Sequence, residues 1–202
     1  FGRRVLGVGI REGCDFRRAV RAFHDQVLGA GALPMDVLEQ RIAEVDGKVN
    51  ALPTLCFDRA RKHARALMER PIPDRGPLAG LPVLIKDLTD VAGVRSTQGS
   101  PIFRDRVAEA SDLVVTHLEG RGGIIYAMSN TPEFGAGAHT FNEVFGVTRN
   151  PWDPTKTPAG SSGGSAAAAA SGMVPLAQGT DFGCSVRMPA AFCGIVGIRT
   201  TA

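Results

Sequence analysis

The sequence predicts an α/β fold. Three observations carry the prediction. From residue 81 onward, short apolar runs of strand length alternate with segments of helical character, as in strands joined by helices. Pro- and Gly-rich breaks such as "PIPDRGPLAG" separate the segments. The composition, 44% hydrophobic and 21% charged over 202 residues, is that of a globular domain long enough to bury a sizeable core.

Residues 15–70 read as helical. "LPMDVLEQRIAEVDGKVNAL" places Val37, Leu38, Ile42 and Val45 at helical spacing, with Pro34 early and Gly47 as the stop. "DRARKHARALMER" is a second helix, rich in Ala and Arg. After the break, "LPVLIKD" is a short apolar strand. "SDLVVTHLEGRGG" reads as a helix capped by Ser111 and ended by glycine. "IIYAMSN" is another strand, and "FNEVFGVTRNPWDPTKTPAG" a long loop punctuated by prolines. "GGSAAAAASG" is a short helix of small residues, "MVPLAQGTD" a strand and "GIVGIRTT" a last strand. The chain thus divides into a helical layer, 1–75, and an α/β core, 76–202.

Net charge is +3, and it is uneven: residues 1–75 hold 14 Lys/Arg against 10 Asp/Glu, whereas residues 76–202 hold 9 against 10. That excess is too weak and too scattered for a nucleic-acid surface, and no basic cluster is interleaved with aromatics. No apolar run approaches a membrane span, and "FGRRVLGVGIREG" lacks the apolar stretch of a signal peptide. Cys14, Cys56, Cys184 and Cys193 show no metal-finger or redox spacing, so they read as reduced thiols of a cytoplasmic protein. The chain begins with Phe, which suggests a truncated or processed start.

The stretch "TPAGSSGGSAAAAASG" resembles a linker, yet strand-like segments flank it. It is better read as a loop that opens a helix inside the core. Gly160–Gly164 matches G-x-S-x-G, the nucleophile elbow of α/β-hydrolases. That mechanism needs a later histidine, and none follows His139. Neither G-x-x-x-x-G-K-[ST] nor G-x-G-x-x-G occurs, so a phosphate cradle is not indicated. His24, His63, His117 and His139 are too dispersed for metal-ligand spacing. A serine nucleophile without histidine can use a lysine that is neutral at working pH, and burial lowers a lysine's pKa. Lys86 ends an apolar strand and is one of two lysines after residue 75. On position alone, a lone lysine at a strand end is more often a solvated edge residue than a base.

"GLPVLIKDLTDVAG" and "TPAGSSGGSAAAAASGMVPLAQGTDFGCSVRMPAAFCGIVGIRT" together resemble the amidase signature family. "KVNALPTL", "NTPEF" and "FNEVFGVTRNPWD" are similar to it as well, so the likeness runs from about residue 15 to the last residue. The resemblance implies a mixed sheet flanked by helices, incomplete because the chain ends mid-core. It implies a Ser–cis-Ser–Lys triad of Lys86, Ser161 and Ser185, with Ser185 as nucleophile and Ser161 as proton bridge. Ser162 would neighbour Ser161 in a tight turn. Backbone N–H groups of Phe182, Gly183, Cys184 and Ser185 would form the oxyanion hole. Asp181 and Arg187 flank that loop; they would either brace it as a pair or form an ordinary surface ion pair worth ~0–1 kcal/mol. Thr180 would donate to the triad or merely end its strand.

The implied activity is hydrolysis of a carboxamide C–N bond through an acyl-enzyme. It takes a small-molecule amide and needs no cofactor or metal, no direct nucleic-acid contact and no membrane; a homodimer is an open assembly. Two alternatives stand beside it: the amidase-type subunit of a glutamine-dependent tRNA amidotransferase, and a truncated inactive domain. Cys184 and Ala159 depart from the family's usual glycines. If position 184 needs a left-handed backbone, Cys costs ~1–2 kcal/mol there.

Overall fold

A computed structural model describes residues 35–200, together with the backbone of a small antiparallel pair, β1 (Arg4–Val5) and β2 (Val8–Gly9). The predicted helical character of residues 15–34, the first residues and Cys14 lie outside the described residues.

Helix α1 (Met35–Val49) buries Met35, Ile42 and Val49, one residue every two turns, as a helix laid against a core requires. It runs through Gly47, contrary to the predicted stop. The chain leaves the helix at Asn50, whose backbone is left-handed (φ 55°). Asp46 supports the exit, because its carboxylate accepts from the backbone N–H groups of Ala51 and Leu52 at 2.6 and 3.1 Å. A side chain able to capture those donors decides where the helix ends, whereas Gly47 is exposed, with open space where a side chain would project.

Strand β3 (Thr54–Leu55) leads into α2 (Phe57–Met68), which buries Ala60 and Leu67. Phe57 stacks on Tyr126 with ring centroids 5.5 Å apart. Strand β4 (Pro82–Lys86), helix α3 (Leu113–Gly120) and strand β5 (Ile124–Ser129) form the next crossover. Ser111 is not the cap of α3. The cap position is Asp112, and the Ser111 hydroxyl instead accepts from the N–H of Ala92 at 2.9 Å. A small pair, β6 (Phe141–Asn142) and β7 (Gly146–Val147), interrupts the long loop. Helix α4 (Gly163–Ala170), strand β8 (Leu176–Ala177) and helix α5 (Arg187–Cys193) complete the described chain.

The main sheet has the order β3-β5-β4-β8. β4 runs parallel to β5 and to β8, and β3 pairs antiparallel with β5. Every residue of β4 and β5 is buried, as expected for strands covered on both faces. Leu84, Ile124, Tyr126 and Ala127 face α1, α2 and α4; Val83, Ile85, Ile125 and Met128 pack with Val91, Val94 and Val115 on the other face. A bulge between Val83 and Leu84 resets the register of β4 against β5, which puts the consecutive residues Tyr126 and Ala127 on one face.

Two predicted strands come out differently. "MVPLAQGTD" pairs only over Leu176–Ala177. Over its described residues, 194–200, "GIVGIRTT" forms no continuous strand: after left-handed Gly194 (φ 66°) the segment runs irregularly, with Val196 and Ile198 40% and 71% exposed. Apolar alternation states which side chains gain from burial. It does not supply the neighbouring backbone that a strand needs.

Candidate active site

The carboxyl ends of β4 and β5 and the amino end of α4 meet in one place, the usual location of sites in open parallel sheets. Helix α4 is wholly buried, and its glycines explain how it fits. A Cβ at Gly163 would overlap the hydroxyl of Thr140, and one at Gly164 would overlap the backbone of Asn130, just past the end of β5. Only a helix starting with two glycines can approach this closely. The adjacent serines therefore sit at a packed joint rather than in a flexible linker.

Lys86, the last residue of β4, is fully buried. Its Nζ donates to Ser161 Oγ at 2.6 Å and to Thr180 Oγ1 at 2.9 Å. Burial lowers its pKa from 10.5 to about 7, against a smaller opposing pull from the negative charge of Asp181. A substantial share of the amine is therefore neutral at neutral pH. The peptide bond between Gly160 and Ser161 is cis. Ser161 is 2% exposed, and its carbonyl accepts from the Thr131 hydroxyl at 3.2 Å.

Ser162 ties the start of α4 to the loop that carries Ser185. Its N–H donates to the Ser185 carbonyl at 3.0 Å. Its hydroxyl donates to the Thr180 carbonyl and accepts from the Thr180 N–H, both at 3.2 Å. The loop itself folds around Asp181, whose side chain is 3% exposed. That carboxylate accepts from the N–H groups of Cys184, Val186 and Arg187, and from the Arg187 guanidinium through Nε and Nη2 at 3.0 Å each. The Arg187 guanidinium, joined by these backbone donors, holds the Asp181 carboxyl well below the usual carboxylate range. Arg199 adds a further tie, with Nε 3.0 Å from the Asp181 carbonyl.

The predicted site residues thus fall into one region. Lys86, Ser161 and Thr180 are joined side chain to side chain, while Ser185 is held by its backbone carbonyl. Its Oγ makes no hydrogen bond among the described residues, so the Ser161–Ser185 step of the relay is not closed here. The Cys184 N–H donates to Asp181 at 2.8 Å, whereas those of Phe182, Gly183 and Ser185 have no partner among the described residues. Phe182 is fully exposed.

Three contributors were not found in the sequence. The Gln178 side chain accepts from the Lys86 N–H, Asp87 accepts from both the N–H and the hydroxyl of Thr97, and Arg199 reaches back to Asp181. Gln178 had a signal, being a polar residue inside "PLAQG". Arg199 had none, because nothing in the spacing says that residue 199 returns to residue 181.

Cys184 adopts φ 73°, a region that costs a side chain but not glycine. Cys184→Gly is expected to stabilise the chain by up to about 1 kcal/mol, a rise in melting temperature of ~2–4 °C. Thermal unfolding of the two chains checks this, and a lower melting temperature in the variant contradicts the left-handed cost at this position.

Among the described residues no helix is long and apolar enough to cross a membrane. A sequence model of the Amidase family matches residues 36–202. The glutamyl-tRNA(Gln) amidotransferase A subunit of Alkaliphilus metalliredigens is 45% identical over 163 residues, covering 80% of this chain and 33% of that protein. Its counterpart in Persephonella marina is 36% identical over 191 residues, covering 92% of this chain and 39% of the relative. Among solved structures, 6-aminohexanoate cyclic dimer hydrolase complexed with substrate superposes with a TM-score of 0.78 at 30% identity, over 86% of this chain and 36% of that one. A bacterial aryl acylamidase of the amidase signature family gives a TM-score of 0.70 at 37% identity, over 78% and 34%. The chain spans about a third of the length of the curated relatives it matches. With the family model covering more than half of its residues, the chain belongs to the Amidase family.

Proposed function

We propose that this chain carries the nucleophile and proton relay of an enzyme that hydrolyses a carboxamide C–N bond. One observation supports this above the others: a fully buried lysine amine, its pKa lowered to about 7, lies 2.6 Å from the hydroxyl of Ser161. In the proposed sequence, neutral Lys86 accepts the Ser161 proton while Ser161 accepts the Ser185 proton. The Ser185 oxygen attacks the amide carbonyl. The oxyanion of the tetrahedral intermediate is met by the N–H groups of this loop that remain available, those of Phe182, Gly183 and Ser185. The relay then returns a proton to the departing amine, which leaves poorly as an anion, and the acyl-enzyme forms. Water enters by the reverse transfers, releasing the carboxylate and regenerating Ser185. The scheme requires the Ser161–Ser185 contact to close when substrate is bound.

Asp181 and Arg187 brace the loop in this scheme, Thr180 holds the lysine amine and Ser162 holds the Ser185 backbone. The substrate is a small-molecule amide. A second reading is supported by the 45% identity to an amidotransferase A subunit. In it the same chemistry releases ammonia from glutamine for a partner chain.

Ser185→Ala tests the proposal directly. Turnover of a responsive amide, and labelling by a fluorophosphonate, should fall by roughly 10³-fold or more. Substantial turnover in the variant would remove Ser185 from the nucleophile's place. Glutamine-dependent ammonia release that appears only with a partner chain would favour the second reading.

A further inference from the structure

The backbone N–H of Lys86 makes a polar contact that the relay does not use. The regular ladder between β4 and β8 covers Val83–Leu176 and Leu84–Ala177, and the Gln178 N–H still donates to the Leu84 carbonyl at 2.9 Å. β8 ends there, so the Lys86 N–H meets no backbone partner. The Gln178 side chain takes that place: its Oε1 accepts from the Lys86 N–H at 3.0 Å. Its Nε2 donates to Thr89 Oγ1 at 3.4 Å and to the Gly179 carbonyl at 3.3 Å, which sets the amide's orientation. Lys86 is fully buried, so water does not replace the lost acceptor.

Two residues further on, Thr180 receives the Lys86 amine. One short stretch, Gln178–Thr180, therefore grips Lys86 at both ends, by its backbone and by its tip, and leads on into the Ser185 loop. We propose that Gln178 is a positioning residue that sets where the Lys86 amine sits between Ser161 and Thr180. The inference rests on Lys86 being the base. Gln178 touches no reacting atom and acts through the backbone of Lys86. An apolar side chain of similar volume would fill the space yet leave the N–H unpaired. The strand end would then shift to find a partner, and the amine would move with it. A contact of 2.6 Å to Ser161 tolerates little such movement.

One charged group acts on the amine, and a second carboxylate follows Lys86 in the chain. Asp181 faces it from the loop after β8. Asp87, next along from β4, commits its carboxylate to Thr97. Among the described residues neither carboxylate hydrogen-bonds the Gln178 side chain.

The test uses the full chain with ¹⁵N-labelled lysine, the Lys86 signal being assigned by its loss in Lys86→Met. Gln178→Leu should raise the Lys86 titration midpoint by about one pH unit, as the displaced amine gains solvent. It should also slow fluorophosphonate labelling of Ser185 roughly tenfold. Gln178→Glu keeps the acceptor; above its own raised midpoint, labelling should return to within about threefold of the parent. If Gln178→Leu fails to fold, Gln178→Met serves instead. A Leu or Met variant with unchanged midpoint and labelling rate overturns the proposal, even if its melting temperature falls, because the residue is then structural only. If Lys86→Ala labels at the parent rate, the base reading fails, while the midpoint comparison still decides the role of Gln178.

Discussion

Lys86→Met is expected to remove activity and, below neutral pH, to favour the folded state relative to the parent chain. A general base contributes about 10²–10⁴-fold, so amide turnover and fluorophosphonate labelling should fall by that much or more. Stability runs the other way because the buried amine is a burden when charged. Its pKa is about 7 in the fold against 10.5 in the open chain. Between those values the unfolded chain holds more protons than the folded one, so the parent gains stability as pH rises. Below about pH 7 both states are protonated and the full penalty persists; above about 10.5 it vanishes. Methionine has no such dependence. It does forfeit the donations to Ser161 and Thr180, a cost of ~1–3 kcal/mol that is the same at every pH.

The pH-dependent part is therefore the diagnostic. Each pH unit crossed between the two midpoints is worth about 1.4 kcal/mol, so moving from about pH 6 to pH 10 should favour the parent over the variant by several kcal/mol. For a chain of this size that is on the order of 10 °C in relative melting temperature. Melting curves of both chains at the two pH values decide it. Parallel pH dependence in the two chains would mean that Lys86 titrates normally and is no base. The acid limb of the parent's activity should correspondingly have its midpoint near pH 7.

Gly164→Ala should destabilise the chain by about 3 kcal/mol or more, although helix propensity alone argues the reverse. Alanine is favoured over glycine in a helix interior by about 1 kcal/mol. Here the new methyl would lie 2.5 Å from the Asn130 nitrogen, closer still to its carbonyl oxygen, and 3.0 Å from the Ala51 carbonyl. All three are backbone atoms of packed segments, so no flexible side chain can yield. Helix α4 would have to withdraw from β5. It carries Ser161 and Ser162 at its amino end, so labelling of Ser185 should fall along with stability. The melting temperature is expected to drop by ~6–12 °C. A variant that melts at or above the parent would show that α4 is not wedged as described.

Much of the core was legible in the sequence because it depends on short-range pattern. "LPVLIKD" and "IIYAMSN" are apolar runs of strand length, and they are the two fully buried central strands. The Ala-rich helix after "SSGG" was legible because few other arrangements bury so many small residues together. The helix end at Asn50, the Ser111 contact with Ala92 and the irregular course of "GIVGIRTT" were not. Each depends on a partner that sequence spacing does not name.

The site divides along the same line. Sequence alone determined the chemical inventory: a lysine closing an apolar strand, paired serines between glycines, and a loop with Asp181, Ser185 and Arg187. Those features are local in the chain. Only the tertiary structure decided that Lys86 is fully buried, that its amine rests between Ser161 and Thr180, and that Gln178 and Arg199 hold the surrounding backbone. The physical reason is that a lysine becomes a base through desolvation, and desolvation is a property of everything packed around it. Residues 75 to 94 positions away in the chain make the contacts at its amine, and no local pattern encodes their approach.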